Sequence, residues 1–396
     1  MGKNRSFIIL AGAFLISIFV PMVQALITTG NPELPAKHII ENVPFMPEIK
    51  GGCTISSFRM QLAYYGTVYS QTYLMNLSGW DYAFSYYPPH VWVSVEPVST
   101  VLWVGEILGC EVEHYSNQTF EDAWRTLKEL IAQDKPVFIQ WRFHSVLAVG
   151  YDDEDNLVYI HDPAGGPDGE HLERENFGAY VPISLETFKD SDHWGTSPRG
   201  NRYEMLKVVP PKVKPTVSWS EVLTVNAGYL DVGTWDMNAF ANALETGFGL
   251  TGENLRSTLL AAMYDPFDFG WVRREDAAAF IEGLAQMTGS KNLDDASIYL
   301  RSAAVCFAEG KALLKDKLQI GEIPDLPRVA EALRRAADYQ EKAGESLMKG
   351  AKDLGIETQR NYALIGYVVL ATLTVVLVLV FLRKRLRFLF GSHLFH

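Results

Sequence analysis

The sequence predicts an α+β domain followed by an α-helical domain and one transmembrane helix. Three observations carry that reading. Residues 38–209 mix alternating apolar runs, aromatic residues and Gly/Pro punctuation, whereas the chain after Pro210-Pro211 is Ala-, Leu- and Glu-rich with helical spacing. Near the end, Tyr362 to Leu382 carries no charge at all. The 396 residues suffice for two ordinary domains, and 48% hydrophobic with 21% charged residues suits a chain that buries a core.

The ends come first because they set the compartment. Lys3 and Arg5 precede an apolar run from Phe7 to Val20, then Pro21 and Val23-Gln24-Ala25. This has the three regions of a secretory signal peptide, residues 1–25. Residues 362–382 are long enough to span a hydrocarbon layer of about 30 Å, and Arg383-Lys384-Arg385-Leu386-Arg387 follows at once. Such a cationic cluster stays cytoplasmic, so 383–396 is expected to be a cytoplasmic tail, with the main domains extracytoplasmic at the cell membrane and the lipid bilayer as a partner through 362–382. The net charge of −12, with six of the cations at these two ends, argues against nucleic acid. Asn76-Leu77-Ser78 and Asn117-Gln118-Thr119 are glycosylation sequons on the expected outer side.

Pro210-Pro211-Lys212-Val213-Lys214-Pro215 is a stiff connector, so 210–217 is read as a linker. Ser218-Trp219-Ser220-Glu221 has the form of a capping box that opens a helical domain, 218–318. A further juxtamembrane helix, 327–358, places Val329, Leu333, Ala336, Ala343, Leu347 and Ala351 on one stripe. It serves either as a stalk or as a helix packed back on the bundle.

Chemistry is sought in the first domain. Gly51-Gly52 precede Cys53, and Ile55, Phe58, Leu62 and Tyr65 then recur at helical steps until Gly66. The pattern predicts an amphipathic helix with Cys53 in its first turn, where unpaired N–H groups and the helix dipole favour a thiolate. Val137 to Gly150 alternates as one strand, with Gln140, Arg142 and His144 on its polar face. Asp152 to Asn156 reads as a hairpin turn and Leu157 to Ile160 as the returning strand. That antiparallel return brings Asp162 back to His144, which supplies a nucleophile, a base and a residue to orient it.

Val43-Pro44-Phe45-Met46-Pro47-Glu48, then Gly52-Cys53 and Leu62-Ala63-Tyr64-Tyr65-Gly66, resemble the opening of the papain-fold cysteine peptidases related to the bacteriocin-processing, double-glycine-leader peptidases. Pro136-Val137, His144 to Asp152 and Asp162-Pro163 are similar to that family's histidine and aspartate strands. The resemblance spans about residues 38–209. It implies a papain-like helix packed on an antiparallel sheet, with catalytic Cys53, His144 and Asp162 acting as nucleophile, general base and acid, and orienter. Two positions depart from the family. Pro47 and Glu48 stand where it has its oxyanion-hole glutamine, and Thr54 follows the cysteine where glycine is common. An ionised Glu48 would repel a developing oxyanion.

Gly247-Phe248-Gly249-Leu250 through Arg301 and Phe307 looks like the partner domain of butirosin-biosynthesis-type acyltransferases. The reading is a membrane-anchored extracytoplasmic hydrolase acting on a peptide or amide bond, favoured by the outward topology; the alternatives are a transferase that passes an acyl group to an amine and an inactive peptide-binding ectodomain. The partner is a peptide or acyl substrate. No cofactor and no metal is expected. His161, His171 and His193 with Glu170, Glu173 and Asp192 fit no ligand template. The aromatic stretch Tyr82, Phe84, Tyr86, Tyr87, Trp92 and Trp103 is read mainly as core, with part of it lining the cleft. Cys110 and Cys306 are expected either as buried thiols or as an interdomain bridge.

Overall fold

The computed structural model describes residues 34–48, 51–88, 90–92, 95–141, 144–165, 178–191, 193–196 and 200–354. The expected signal peptide, transmembrane segment and tail lie outside the described residues. No helix among those described is long and apolar enough to cross a membrane.

The first part is α+β. Among the described residues its sheet is wholly antiparallel, built from β1 (Lys37–Ile39), β4 (Glu111–Tyr115), β5 (Val137–Gln140), β6 (Ser145–Asp152), β7 (Leu157–His161), β8 (Val181–Ser184) and β9 (Met205–Val209). The order is β4-β9-β5-β6-β7-β8, with β1 also paired to β6. β2 (Ser85–Tyr87) and β3 (His90–Trp92) form a separate hairpin. The helices of this part are α1 (Cys53–Tyr64), α2 (Gln71–Ser78), α3 (Pro97–Ile107), α4 (Phe120–Ile131) and α5 (Leu185–Lys189).

Residues 137–150 are not the single strand that their alternation predicts. β5 ends at Gln140 and β6 begins at Ser145: Trp141 N–H donates to the His144 carbonyl at 2.8 Å, and Gln140 pairs with Ser145 across a β5–β6 hairpin. Every residue of β6 is buried, because helices α1 and α4 both pack against that strand. An alternating pattern reports one wet face, and here there is none.

Helix α1 is stitched to the sheet through polar atoms. Gln61 Nε2 donates to the carbonyls of Pro136 (2.7 Å) and Leu206 (3.2 Å), and Ser57 Oγ donates to Ser145 O at 2.9 Å. These are buried groups, so each bond also removes a desolvation cost of about 1–3 kcal/mol.

The second part is helical: α6 (Trp219–Glu245), α7 (Gly252–Ala262), a π-helical turn (Met263–Phe269), α8 (Gly270–Thr288), α9 (Lys291–Leu318) and α10 (Leu326–Asp353). Ser218 is the N-cap of α6, but its side chain makes no capping bond, contrary to the capping box read in the sequence. Helix α10 packs back against α6 and α9, with all six residues of its predicted stripe fully buried.

The aromatic stretch joins the two parts. Phe84 is 1% exposed and packs against Phe240 (6.1 Å between centroids) and Phe307 (6.3 Å), while Tyr86 meets Phe240 at 5.3 Å. Beneath them Arg274 is fully buried; it donates to the carbonyls of Asp81 and Tyr82 and to Gln340 Oε1. Asn76 also lies in this seam. It is fully buried, and its amide donates to Thr72 O and Asp81 Oδ2, so this sequon has no reachable nitrogen. Asn117, the acceptor of the other sequon, is exposed.

Candidate active site

Cys53 is the first residue of α1, after the N-cap Gly52. The first intrahelical bond runs from Ser56 N–H to Gly52 O at 2.9 Å, so the N–H groups of Cys53, Thr54 and Ile55 have no acceptor inside the helix. They concentrate positive potential at the sulfur. Gly51 is in the left-handed region at φ 67°, and a Cβ there would come within 2.4 Å of Arg273 Nη2. Its carbonyl accepts from Arg273 Nη2 at 2.8 Å and from Trp80 Nε1 at 3.1 Å.

His144 sits at the mouth of the β5–β6 hairpin. Its Nε2 is 2.7 Å from Asp162 Oδ1, and Ala164 N–H donates to that same oxygen at 3.1 Å. Asp162 follows β7, whose pairing of His161 with Leu147 returns it to the hairpin. With Nε2 engaged, the other ring nitrogen is left for Cys53, to which His144 is hydrogen-bonded. Burial works against a charged imidazole here, but its neighbours Cys53 and Asp162, both hydrogen-bonded to the ring, outweigh it and hold His144 well above its ordinary range.

Glu48 completes the cluster. One of its carboxylate oxygens, the Cys53 sulfur and a His144 ring nitrogen all lie within 4.8 Å of one another. Its backbone N–H donates to Pro163 O at 3.0 Å, which ties it to the Asp162 turn, and its carboxylate accepts from Gly51 N–H. Oε2 is buried with no partner among the described residues. Burial pushes the Glu48 carboxyl above the usual range and Asp162 adds to this, against the opposing pull of His144 and Arg273. A neutral Glu48 carries an O–H donor where the glutamine of the resembled family would carry an N–H.

Cys53, His144, Asp162 and Glu48 are thus brought together. Thr54 is not: its buried hydroxyl is held 2.9 Å from Ser145 Oγ, so it offers the site only its backbone N–H. All three cysteines are free, with Cys306 buried in the helical core, so no interdomain bridge forms. Of the alternative histidine cluster, His161 is buried between Phe45 (5.7 Å) and Tyr180 (4.5 Å), and His193 bonds Asp190 at 2.7 Å. His171, Glu170, Glu173 and Asp192 lie outside the described residues.

Ser145, Trp80 and Arg273 were not singled out in the sequence, and Gln140 only as a polar-face neighbour of His144. Gln140 Nε2 reaches the His144 carbonyl at 3.2 Å and its Oε1 accepts from Ser145 Oγ at 3.0 Å. The alternation at 137–150 placed Gln140 beside His144 but gave no sign of this bond. For Arg273, which lies 222 residues from Gly51, the sequence carries no signal.

Residues 40–185 match the Peptidase_C39 like family, a stretch that contains Cys53, His144 and Asp162. The resemblance read from the motifs therefore holds over this stretch, whose helix on an antiparallel sheet is a cysteine peptidase-like fold. The match stops short of the helical part. No curated protein matches the chain.

Proposed function

We propose that the chain is a thiol-dependent hydrolase that cleaves a peptide or amide bond, anchored in a membrane with its two folded parts on the outer side. The observation that carries this is the His144 ring, placed between the Cys53 sulfur and the Asp162 carboxylate. His144 takes the thiol proton and the sulfur attacks the carbonyl carbon. The carbonyl oxygen, now negative, lies towards the Cys53 N–H, and Glu48 adds a donor to it only in its protonated form. The imidazolium then gives its proton to the leaving amine. Water, deprotonated by the same ring, releases the acid from the thioester and restores the thiol. Asp162 stays ionised and keeps Nε2–H directed at itself.

The outward placement is supported by residues 1–25 and 362–387 of the sequence. The acyl-thioester is common to hydrolysis and to transfer, so an added amine that appears in the product would move the assignment to a transferase.

A thiol-reactive probe read out by peptide mapping tests the proposal. Burial pushes the Cys110 thiol up to about 11 and also raises that of Cys306. At neutral pH the probe is therefore expected at Cys53, with labelling lost in His144→Ala. Equal labelling of Cys53 and Cys110 would overturn the enzyme reading and favour a peptide-binding ectodomain.

A further inference from the structure

We infer that Glu48, Cys53 and His144 form a binding site for a zinc-type divalent cation, and that its occupancy withdraws Cys53 from reaction. The argument starts from the donor set. A thiolate sulfur, an imidazole nitrogen and a carboxylate oxygen are the three ligand types that zinc takes, and three protein ligands leave a fourth position for water. With metal–ligand bonds of about 2.0–2.3 Å, tetrahedral geometry sets the ligand atoms about 3.3–3.7 Å apart. The three atoms already lie within 4.8 Å of one another. Side-chain rotation of the order of 1 Å closes the difference.

The surroundings are those of a metal site as well. Asp162 holds the far nitrogen of His144 at 2.7 Å, the placement of a carboxylate behind a metal-bound histidine, where it fixes the ring and raises its basicity. Gly51 N–H fixes the Glu48 carboxylate, and Oε2 of Glu48 is a buried oxygen lacking any partner among the described residues. Glutamine at this position would offer a neutral amide in place of an anion. The glutamate makes a two-anion set with the Cys53 thiolate that neutralises a divalent ion. On binding, Cys53, Glu48 and the ligating nitrogen of His144 release whatever protons they hold to solvent. The sulfur lone pair that attacks the carbonyl then sits on the metal, together with the nitrogen that receives the proton. Binding is independent of the hydrolase reading; the inhibitory consequence rests on it.

The test uses the full chain, freed of metal by a chelator. Alkylation of Cys53 is followed by peptide mapping against increasing Zn²⁺, with Mg²⁺ as a control because oxygen-seeking ions do not select thiolate. Cd²⁺ is titrated separately, and its sulfur-to-metal absorption is read directly. The expected result is saturable protection of Cys53 by Zn²⁺, none by Mg²⁺, and an unchanged rate at Cys110. Each variant is normalised to its own metal-free rate and its fold is checked by thermal melting. Glu48→Gln should weaken binding at least tenfold, Asp162→Asn by about 10- to 100-fold, and Cys53→Ser should abolish the cadmium band. Zinc titrations of Glu48→Gln that superimpose on wild type would overturn the site, as would a cadmium band that survives Cys53→Ser. If Cys53 resists alkylation even without metal, the hydrolase reading fails, and the cadmium band alone decides the site.

Discussion

Replacing Arg273 by methionine tests whether the helical part shapes the reactive cysteine. Arg273 is 2% exposed and lies in α8, yet its Nη2 donates to the carbonyl of Gly51, two residues before Cys53. Methionine keeps most of the volume and removes the donor. A hydrogen bond from a charged group contributes about 1.5–3 kcal/mol. Trp80 Nε1 still donates to Gly51 O at 3.1 Å, so the carbonyl is not stranded and the lower half of that range applies. If the loss falls on the loop geometry that sets the Cys53 N–H groups, about 1.5 kcal/mol corresponds to roughly a tenfold slower reaction of the thiol. The assay is alkylation kinetics resolved at Cys53 and Cys110, beside guanidinium unfolding of the same samples. Arg273→Met should lose about 1.5 kcal/mol of stability and slow Cys53 about tenfold while leaving Cys110 unchanged. Arg273→Lys keeps the charge on a differently shaped donor and should recover part of the rate. Lowered stability with an unchanged Cys53 rate would refute the coupling and leave Arg273 as interdomain adhesive alone.

Acid stability should report His161, which burial pushes down to about 4 from 6.5. The unfolded chain takes that proton near pH 6.5 and the folded chain only near pH 4, so stability is complete above 6.5 and falls by about 3 kcal/mol as pH drops through this window. His161→Phe should flatten that part of a urea-midpoint profile, and an unchanged profile would count against the assignment. In the helical core, a Cβ on Gly310 would meet Phe267 Cε1 at 2.2 Å, and Phe267 is fully buried. Gly310→Ala should therefore cost about 1–3 kcal/mol by overpacking, and a variant as stable as wild type would show that the ring can give way. Secretion through a glycosylating pathway should modify Asn117 and leave Asn76 bare, which mass mapping of glycopeptides reads directly.

Much of the site was legible in the sequence because its signals are local. A Gly-Gly pair followed by Ile55, Phe58 and Leu62 at helical steps places Cys53 in a first turn whatever the rest of the chain does. The acidic turn at 152–156 returns β7 along β6 and so carries Asp162 to His144. Glu48 was recognisable as a departure from the resembled family, but only its burial and orphaned oxygen say what such a carboxyl faces. The strand predicted at 137–150 failed because the apolar-polar alternation runs on without a break between Gln140 and Ser145, where β5 gives way to β6, so the period-two pattern carries no mark of the reversal. Asn76 read as a sequon, and the tripeptide says nothing about the seam that covers it.

From sequence alone came the order of the parts, the apolar ends, the helix that presents the sulfur and the three residues named for chemistry. Each of these follows from spacing along the chain or from a short motif. The tertiary structure decided what crosses between distant segments. The aromatic row after α2 docks on the helical part, α10 folds back into the bundle, and Arg273 reaches Gly51. Periodicity tells a residue which face of its own element it occupies. It cannot say which other element covers that face, because that depends on shape and charge matched across hundreds of residues.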